Sequence, residues 1–367
     1  MNSVAGGSRL RIPSLDGLRA LSISVVLLAH LSGTAGFALL PIQLTEGLAV
    51  LGVRVFFVIS GFLITSLLLH EEANTGTVSL RHFYLRRTLR IFPPFYVYAA
   101  VVAVMGWLGQ VHLRRFDLLA AVTYTTNYHH QRSWYLGHAW SLAVEEQFYL
   151  LWPFLMKYLG PRRAGRLALA TVILAPLLRL ALLVDAPSFR QGIGETFPTV
   201  ADAIATGCLL ACHRARIDAY PRLAAFLRGP RFWIVPAVIL AAAFVPSAKL
   251  DCLVGQTVAN LGIALLIDRM VRFPDAPTGR FLNARPVVFV GVLSYSLYLW
   301  QQPFLARQSH RALASFPLNL LLAIGLALAS HYLVERPALR LRARLEAVGR
   351  LFGRGRVAAV GPPPLSR

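Results

Sequence analysis

The stretch Leu15-Asp16-Gly17-Leu18-Arg19-Ala20-Leu21 runs on, almost wholly apolar, through Ala29-His30 to Leu40. A helix places residues eleven apart about three turns along the same face, so Arg19 and His30 share one side of it. At about 1.5 Å of rise per residue, His30 lies roughly 16 Å beyond Arg19, near the middle of a bilayer. Asp16 stands one turn before Arg19 and can pair with it at i,i+3. Ionisable side chains at membrane depth are costly, and they mark candidate functional sites. Histidine is also the side chain best suited to moving protons near neutral pH.

The rest of the 367 residues fit that membrane reading. Hydrophobic residues make up 56% and charged residues only 14%, against about 25% charged in soluble domains. The apolar runs reach the roughly 18 residues a spanning helix needs. Ten segments have this character: roughly residues 18–38, 48–69, 91–109, 140–159, 166–184, 197–213, 232–247, 252–271, 286–306 and 316–335. The expected fold is an all-α polytopic membrane protein with about ten transmembrane helices. No internal repeat supports an inverted-repeat transporter. The segment from Met1 to Arg11 is short and polar, and the apolar stretch after it is too long for a secretory signal.

The formal net charge of +21 admits nucleic-acid binding, membrane topology or anionic substrates, and its distribution decides. The N-terminal segment, alternate loops and C-terminal tail hold 28 Lys and Arg residues. The other loops hold seven (Arg114, Arg115, Arg132, Arg190, Lys249, Arg307 and Arg311), and Arg54 and Arg179 fall inside spans. This asymmetry places both termini in the cytoplasm and explains most of the charge without nucleic acid. Residues 1–337 form the expected membrane domain. Residues 338–367 form a basic cytoplasmic tail, expected to begin as an interfacial helix on the anionic leaflet and to end disordered. Cys208, Cys212 and Cys252 lack metal-ligand spacing and read as small packing residues; no metal is expected.

Two further clusters carry candidate chemistry. Phe83-Tyr84-Leu85-Arg86-Arg87-Thr88-Leu89-Arg90 opens the third span. Arg86 and Arg90 share a face at i,i+4, and Arg87 and Arg90 are neighbours at i,i+3. Guanidinium groups so placed suit phosphate, or else anchor the cytoplasmic end. His138-Ala139-Trp140-Ser141-Leu142-Ala143-Val144-Glu145-Glu146-Gln147-Phe148-Tyr149 enters the fourth span. Two carboxylates in an apolar span must pair or face a water-filled cavity. Glu145 and Glu146 project about 100° apart. One suits orienting an acceptor or His30, and the other pairing with a buried arginine such as Arg54. Arg190 and Asp202 flank the sixth span, as an ion pair or acceptor contacts.

As a set these segments resemble the acyltransferase-3 family of integral membrane acyltransferases. The resemblance runs over Leu15–Ala20 with His30, Gly52–Ile64, Arg86–Pro93, Trp140–Leu150, Ser294–Pro303 and Glu335-Arg336-Pro337. The family's arginine-x10-histidine pattern falls on Arg19 and His30, and its RxxR pattern on Arg87 and Arg90. Its Trp-Ser-Leu…Glu-x-Gln-Phe-Tyr pattern falls on Trp140, Ser141, Leu142, Glu145, Gln147, Phe148 and Tyr149. Where many relatives have Trp-His-x-Pro, this chain has Trp300-Gln301-Gln302-Pro303. Some relatives carry a fused SGNH domain, which the 367 residues do not contain.

The resemblance implies O-acylation, commonly O-acetylation, of hydroxyls on a surface or exported glycan in the bacterial plasma membrane. Cytoplasmic acyl-CoA, foremost acetyl-CoA, is the implied co-substrate. His30 is then the candidate base or nucleophile, with Glu145 orienting it or the acceptor. Arg19, Arg86, Arg87 and Arg90 would hold the donor's phosphates. Trp140, Ser141, Glu146 and Arg54 would contact the acceptor. A lipid-linked or secreted small-molecule acceptor is the alternative. From other classes, a transporter of anionic solutes fits the buried charges, and a receptor or scaffold fits only the helices.

Overall fold

A computed structural model describes residues 12–37, 41–307, 309 and 312–357. The charges at Arg9, Arg11, Arg311 and Arg367, and the end of the tail expected to be disordered, lie outside the described residues. The described chain is helical and contains no strand.

α1 (Pro13–Leu31) carries proline in its first turn, where the missing N–H is not needed. It stops at Leu31, because Ser32 turns extended and Gly33 takes φ +88°. The helix is therefore shorter than the expected span to residue 38. His30 lies in its last turn, not at the middle of the helix.

α2 (Ile42–Thr75) ends where Gly76 adopts the left-handed conformation. α3 (Leu80–Trp107) starts with Ser79 Oγ accepting from the His82 amide. The long connection that follows holds two short helices, α4 (Asp117–Val122) and α5 (Trp134–Gly137).

α6 (Ala139–Asp185) breaks at Gly160, whose φ of 75° and ψ of 163° are non-helical, just before Pro161. Its two halves cover the expected fourth and fifth segments. α7 (Phe197–Asp218) follows. Next come α8 (Pro221–Arg228) and α9 (Ile234–Ala243), a pair bent by 70° at the Gly229–Pro230 break. α10 (Ala248–Leu250) and a π-helical turn at Asp251–Gly255 lead into α11 (Gln256–Arg272). The chain continues with α12 (Pro277–Leu282), α13 (Arg285–Trp300) and α14 (Leu318–Ser330). A second π-helical turn, His331–Glu335, joins α14 to α15 (Arg336–Val357).

Among the described residues, each of the ten expected segments overlaps a helix. Length and apolarity alone single out six helices able to cross a membrane among the described residues, or seven with the bent α8–α9 pair. α6 counts once in that figure despite its break, and α13, at 16 residues, falls short of it.

Apolar area does not drive one helix onto another in lipid, so close packing through small residues matters more. α2 and α7 make the most extensive interhelical contact, and α1 lies between α2 and α13. Gly61 and Gly207 create the α2–α7 seam. A Cβ on Gly61 would meet the Ile204 carbonyl oxygen at 2.0 Å, and one on Gly207 would meet that of Val58 at 2.1 Å.

Polar ties complete the interior. Arg179 and Asp202 are both fully buried, with Nη1 2.9 Å from Oδ1. Arg179 also donates to the carbonyls of Thr199 and Cys252, which joins α6 and α7 to the first π-helical turn. The expected pairing of Asp202 with Arg190 is thus corrected: Arg190 donates to the Leu183 carbonyl instead. The second π-helical turn brings Glu335 onto His331 Nδ1 and the Ser296 hydroxyl, linking it to α13. Cys208 and Cys252 are buried free thiols.

Two outcomes follow for stability in detergent. Gly207→Val forces the α2–α7 seam apart and is expected to abolish the monodisperse peak in size-exclusion chromatography. Gly325→Val, which meets nothing within 4 Å, is expected to run as wild type. Asp202→Ala leaves Arg179 buried without its counter-charge. Such a break costs about 3–5 kcal/mol, to be read as a lowered thermal midpoint.

Candidate active site

Two cavities take most, not all, of the candidate site residues picked out by sequence. The inner one, about 90 Å³, takes Arg19 from α1, Arg87 and Arg90 from α3, and Glu145, Glu146 and Tyr149 from α6. Three guanidiniums face two carboxylates, so with all of them ionised the site holds an excess of positive charge. Arg90 is exposed and Glu146 buried, so the cavity runs inward from a basic mouth. Arg19 keeps Asp16 at 3.7 Å, the i,i+3 pairing legible in the sequence. Arg87 lies over the Tyr149 ring at 4.7 Å, a cation–π contact that fixes its planar group. Ser60 of α2 donates to Glu145 Oε1 at 2.6 Å and lies 3.2 Å from the Tyr149 hydroxyl. Glu146 Oε1 is buried without a hydrogen-bond partner.

Helical geometry left two arginine pairs open in α3, and the fold chooses between them. Arg87 and Arg90 face the cavity. Arg86 turns to Glu71 of α2, at 3.3 Å, and lines neither cavity. Arg54 is likewise removed from the acceptor site expected for it. It is buried and donates to Asn260 Oδ1 at 3.2 Å and to Gln256 Oε1, both on α11, so it does not pair with Glu146.

The outer cavity, about 410 Å³, is in the size range of ligand pockets. His30 lines it with Trp134, His138, Trp140, Gln302 and Arg307. His30 Nδ1 is 3.1 Å from Gln301 Oε1, and its ring meets Trp134 edge-on at 5.5 Å. His30 and Glu145 therefore line different cavities, and the direct partner of the imidazole is Gln301. Val53 and Tyr298 line both cavities and form the wall between them. The Tyr298 hydroxyl is 2.7 Å from Ser141 Oγ and donates to the His138 carbonyl at 3.1 Å. Of the expected acceptor contacts, Trp140 lines the outer cavity, Ser141 and Glu146 the inner one.

A cinched loop delivers the outer wall. Asp117 accepts from the amides of Arg114 and Ser133, and its other oxygen lies 3.0 Å from His129 Nε2. Arg132 donates to the carbonyls of Thr126, His129 and Gly137 and to Glu195 at 2.6 Å. Gln147 and Asn127 exchange two amide hydrogen bonds, tying the loop to α6. These contacts aim Trp134 and His138 into the cavity. No periodicity signals such a loop. The only sequence clue is its density of aromatic, histidine and arginine residues between two spans.

Comparison with known proteins agrees with this architecture. The family described as "Acyltransferase domain" (acyltransferase-3) matches residues 12–336. "O-acetyltransferase OatA" of Staphylococcus aureus is 30% identical over 325 residues, covering 80% of this chain and 50% of that protein. "Putative peptidoglycan O-acetyltransferase YrhL" of Bacillus subtilis is 27% identical over 358 residues, covering 89% and 54%. "Peptidoglycan O-acetyltransferase OatA" of Listeria monocytogenes is 30% identical over 325 residues, covering 81% and 50%. The chain thus spans about half the length of the curated relatives it matches. No solved structure matches it. The matched span includes every residue of both cavities, and the chain belongs to the acyltransferase-3 family.

Proposed function

We propose that the protein is a membrane O-acetyltransferase of the bacterial plasma membrane. It moves an acetyl group from cytoplasmic acetyl-CoA to a hydroxyl of a surface glycan, with peptidoglycan the foremost acceptor by analogy with the relatives. The observation that carries this reading is the pair of cavities sharing Tyr298 and Val53 as a wall, with Arg19, Arg87 and Arg90 on one side and His30, beside Arg132 and Arg307, on the other.

In this reading the chain crosses the membrane ten times, with α6 counted as two crossings and both termini cytoplasmic. The bias of basic residues, 28 against seven, supports that orientation. α15 then lies along the inner leaflet.

Arg19, Arg87 and Arg90 bind the donor's phosphates, and Glu145 and Ser60 hold the arginine cluster in register. The pantetheine arm passes Tyr298 and brings the thioester carbonyl to His30. With Nδ1 donating to Gln301 Oε1, Nε2 keeps its lone pair, the tautomer a general base needs. Nε2 takes the acceptor's hydroxyl proton as the oxygen attacks the thioester carbon. The carbon–sulfur bond then breaks, and the coenzyme thiolate recovers the proton from His30. The products are an O-acetyl ester and free coenzyme A.

Purified protein supplied with radiolabelled acetyl-CoA and a glycan acceptor is expected to form an alkali-labile ester. Uptake of a labelled anion into vesicles without ester formation would favour a transporter instead. General base catalysis is worth about 10²–10⁴-fold, so His30→Ala is expected to lose at least a hundredfold in transfer while still expressing normally. Wild-type transfer by that variant would overturn the mechanism.

Removing a charge-assisted hydrogen bond costs about 1.5–3 kcal/mol, roughly ten- to a hundredfold in affinity. Arg87→Ala and Arg90→Ala are expected to raise the KM for acetyl-CoA by that factor. Arg86→Ala, which loses only the half-buried contact to Glu71, is expected to leave it unchanged.

A further inference from the structure

The outer cavity holds more hydrogen-bonding capacity than the chemistry at His30 uses. His138 is 4% exposed, and neither of its ring nitrogens has a hydrogen-bond partner. Its ring meets Tyr98 and Tyr298 edge-on, each at 5.3 Å. Its carbonyl accepts from Ser141 Oγ and the Tyr298 hydroxyl. The imidazole is therefore clamped by its neighbours, yet none of them satisfies its nitrogens.

Gln302 is in the same condition. It is 2% exposed and lines the same cavity. Its Nε2 donates to the Trp134 carbonyl at 2.7 Å, and Trp134 Nε1 donates to the Gln302 carbonyl at 2.8 Å. This reciprocal pair sets the amide's orientation and leaves Oε1 buried without a donor. A Cβ on Gly137 would sit 3.5 Å from Gln302 Nε2, so the amide packs against the residue just before His138.

Buried polar groups in native proteins are almost always hydrogen-bonded. His138 and Gln302 line one cavity, so their unmet atoms bear on what fills it. A neutral imidazole offers one donor and one acceptor, and Gln302 Oε1 only accepts. A carboxylate has no hydrogen to give Oε1, and an ammonium has no lone pair for the imidazole N–H. A hydroxyl both donates and accepts. Trp134 and Trp140 on the walls suit the apolar face of a sugar ring.

We propose that His138 and Gln302 form a hydroxyl-binding subsite. It holds one hydroxyl of a sugar acceptor and so selects which neighbouring hydroxyl is presented to His30. The proposal rests on the reading of His30, which lines the outer cavity, as the base that meets the acceptor hydroxyl.

Binding and transfer test the two claims separately. The purified full chain in detergent is titrated with the methyl β-glycoside of N-acetylglucosamine, following tryptophan fluorescence. His138→Phe keeps the ring and removes both nitrogens. Gln302→Met keeps the length and removes the amide. Both are expected to weaken binding at least about tenfold, as loss of buried hydrogen bonds to ligand should. The thermal midpoint of unliganded His138→Phe is expected to match or exceed wild type, because no hydrogen bond within the protein is lost.

Wild-type affinity in both variants would overturn the subsite, as would failure of the wild type to bind the glycoside. A collapsed midpoint in His138→Phe would overturn the assignment of those nitrogens to a ligand. If the glycoside binds through these residues but no acetyl group is ever transferred to it, the subsite stands and the transferase reading falls. If transfer proceeds and both variants bind like wild type, the subsite falls and the transferase reading stands.

Discussion

An unpaired charge in an apolar interior is expensive, and this constraint organises the molecule. Among the described residues, several ionisable groups inside the helix bundle meet one of two fates. Arg179 is neutralised by Asp202, and Arg54 is bonded to two amides on α11. These groups hold helices together and are closed to ligands. Arg19, Arg87, Arg90, Glu145 and Glu146 instead line a cavity whose mouth is basic. The same rule that makes the fold rigid in one place leaves it receptive in another.

α1 is the strut between the two working regions. Arg19 stands near its beginning in one cavity, and His30 in its last turn in the other. A helix holds that separation far better than a loop would, since its length is set by backbone hydrogen bonds. Glycines keep the strut in close contact with its neighbours. A Cβ on Gly291 of α13 would meet the Asp16 carbonyl at 1.8 Å, and one on Gly17 would meet that of Leu282 at 2.3 Å. The inner end of α1 is thereby fixed against α13, the helix that also carries Tyr298 to the wall between the cavities.

What was legible in the sequence was whatever a local period or a transfer cost encodes. Apolar runs locate the helices, and the three-turn spacing puts Arg19 and His30 on one face. The same local logic could not choose between Arg86 and Arg87 as the partner of Arg90, because both spacings are compatible with a helix. Only the position of Glu71 on α2 decides it. Asp202 shows the same limit: Arg190 is nearer in sequence, but Arg179 is nearer in space. The end of α1 at Leu31 was marked by Ser32-Gly33-Thr34-Ala35-Gly36, but the apolar residues from Phe37 on made the segment read as one run; Gly33 and its positive φ stop the helix. The outer loop has no period at all, so Trp134 and the setting of His138 emerge only from the fold.

Gln301 illustrates how one departure from a family pattern alters a proton's route. Many relatives place a histidine at this point of the ninth span; here an amide oxygen meets His30 Nδ1. A histidine partner could pass a proton onward, because it titrates near neutral pH. A glutamine side chain does not titrate, so it orients the imidazole without sharing its charge. A proton arriving on Nε2 has no exit through Nδ1 and Gln301. In the proposed mechanism it stays on His30 until the departing thiolate takes it back. On the proposed mechanism, the imidazole and the leaving group form a closed proton cycle, and transfer is tied to the coenzyme sulfur being within reach of the same nitrogen that accepts the acceptor's proton.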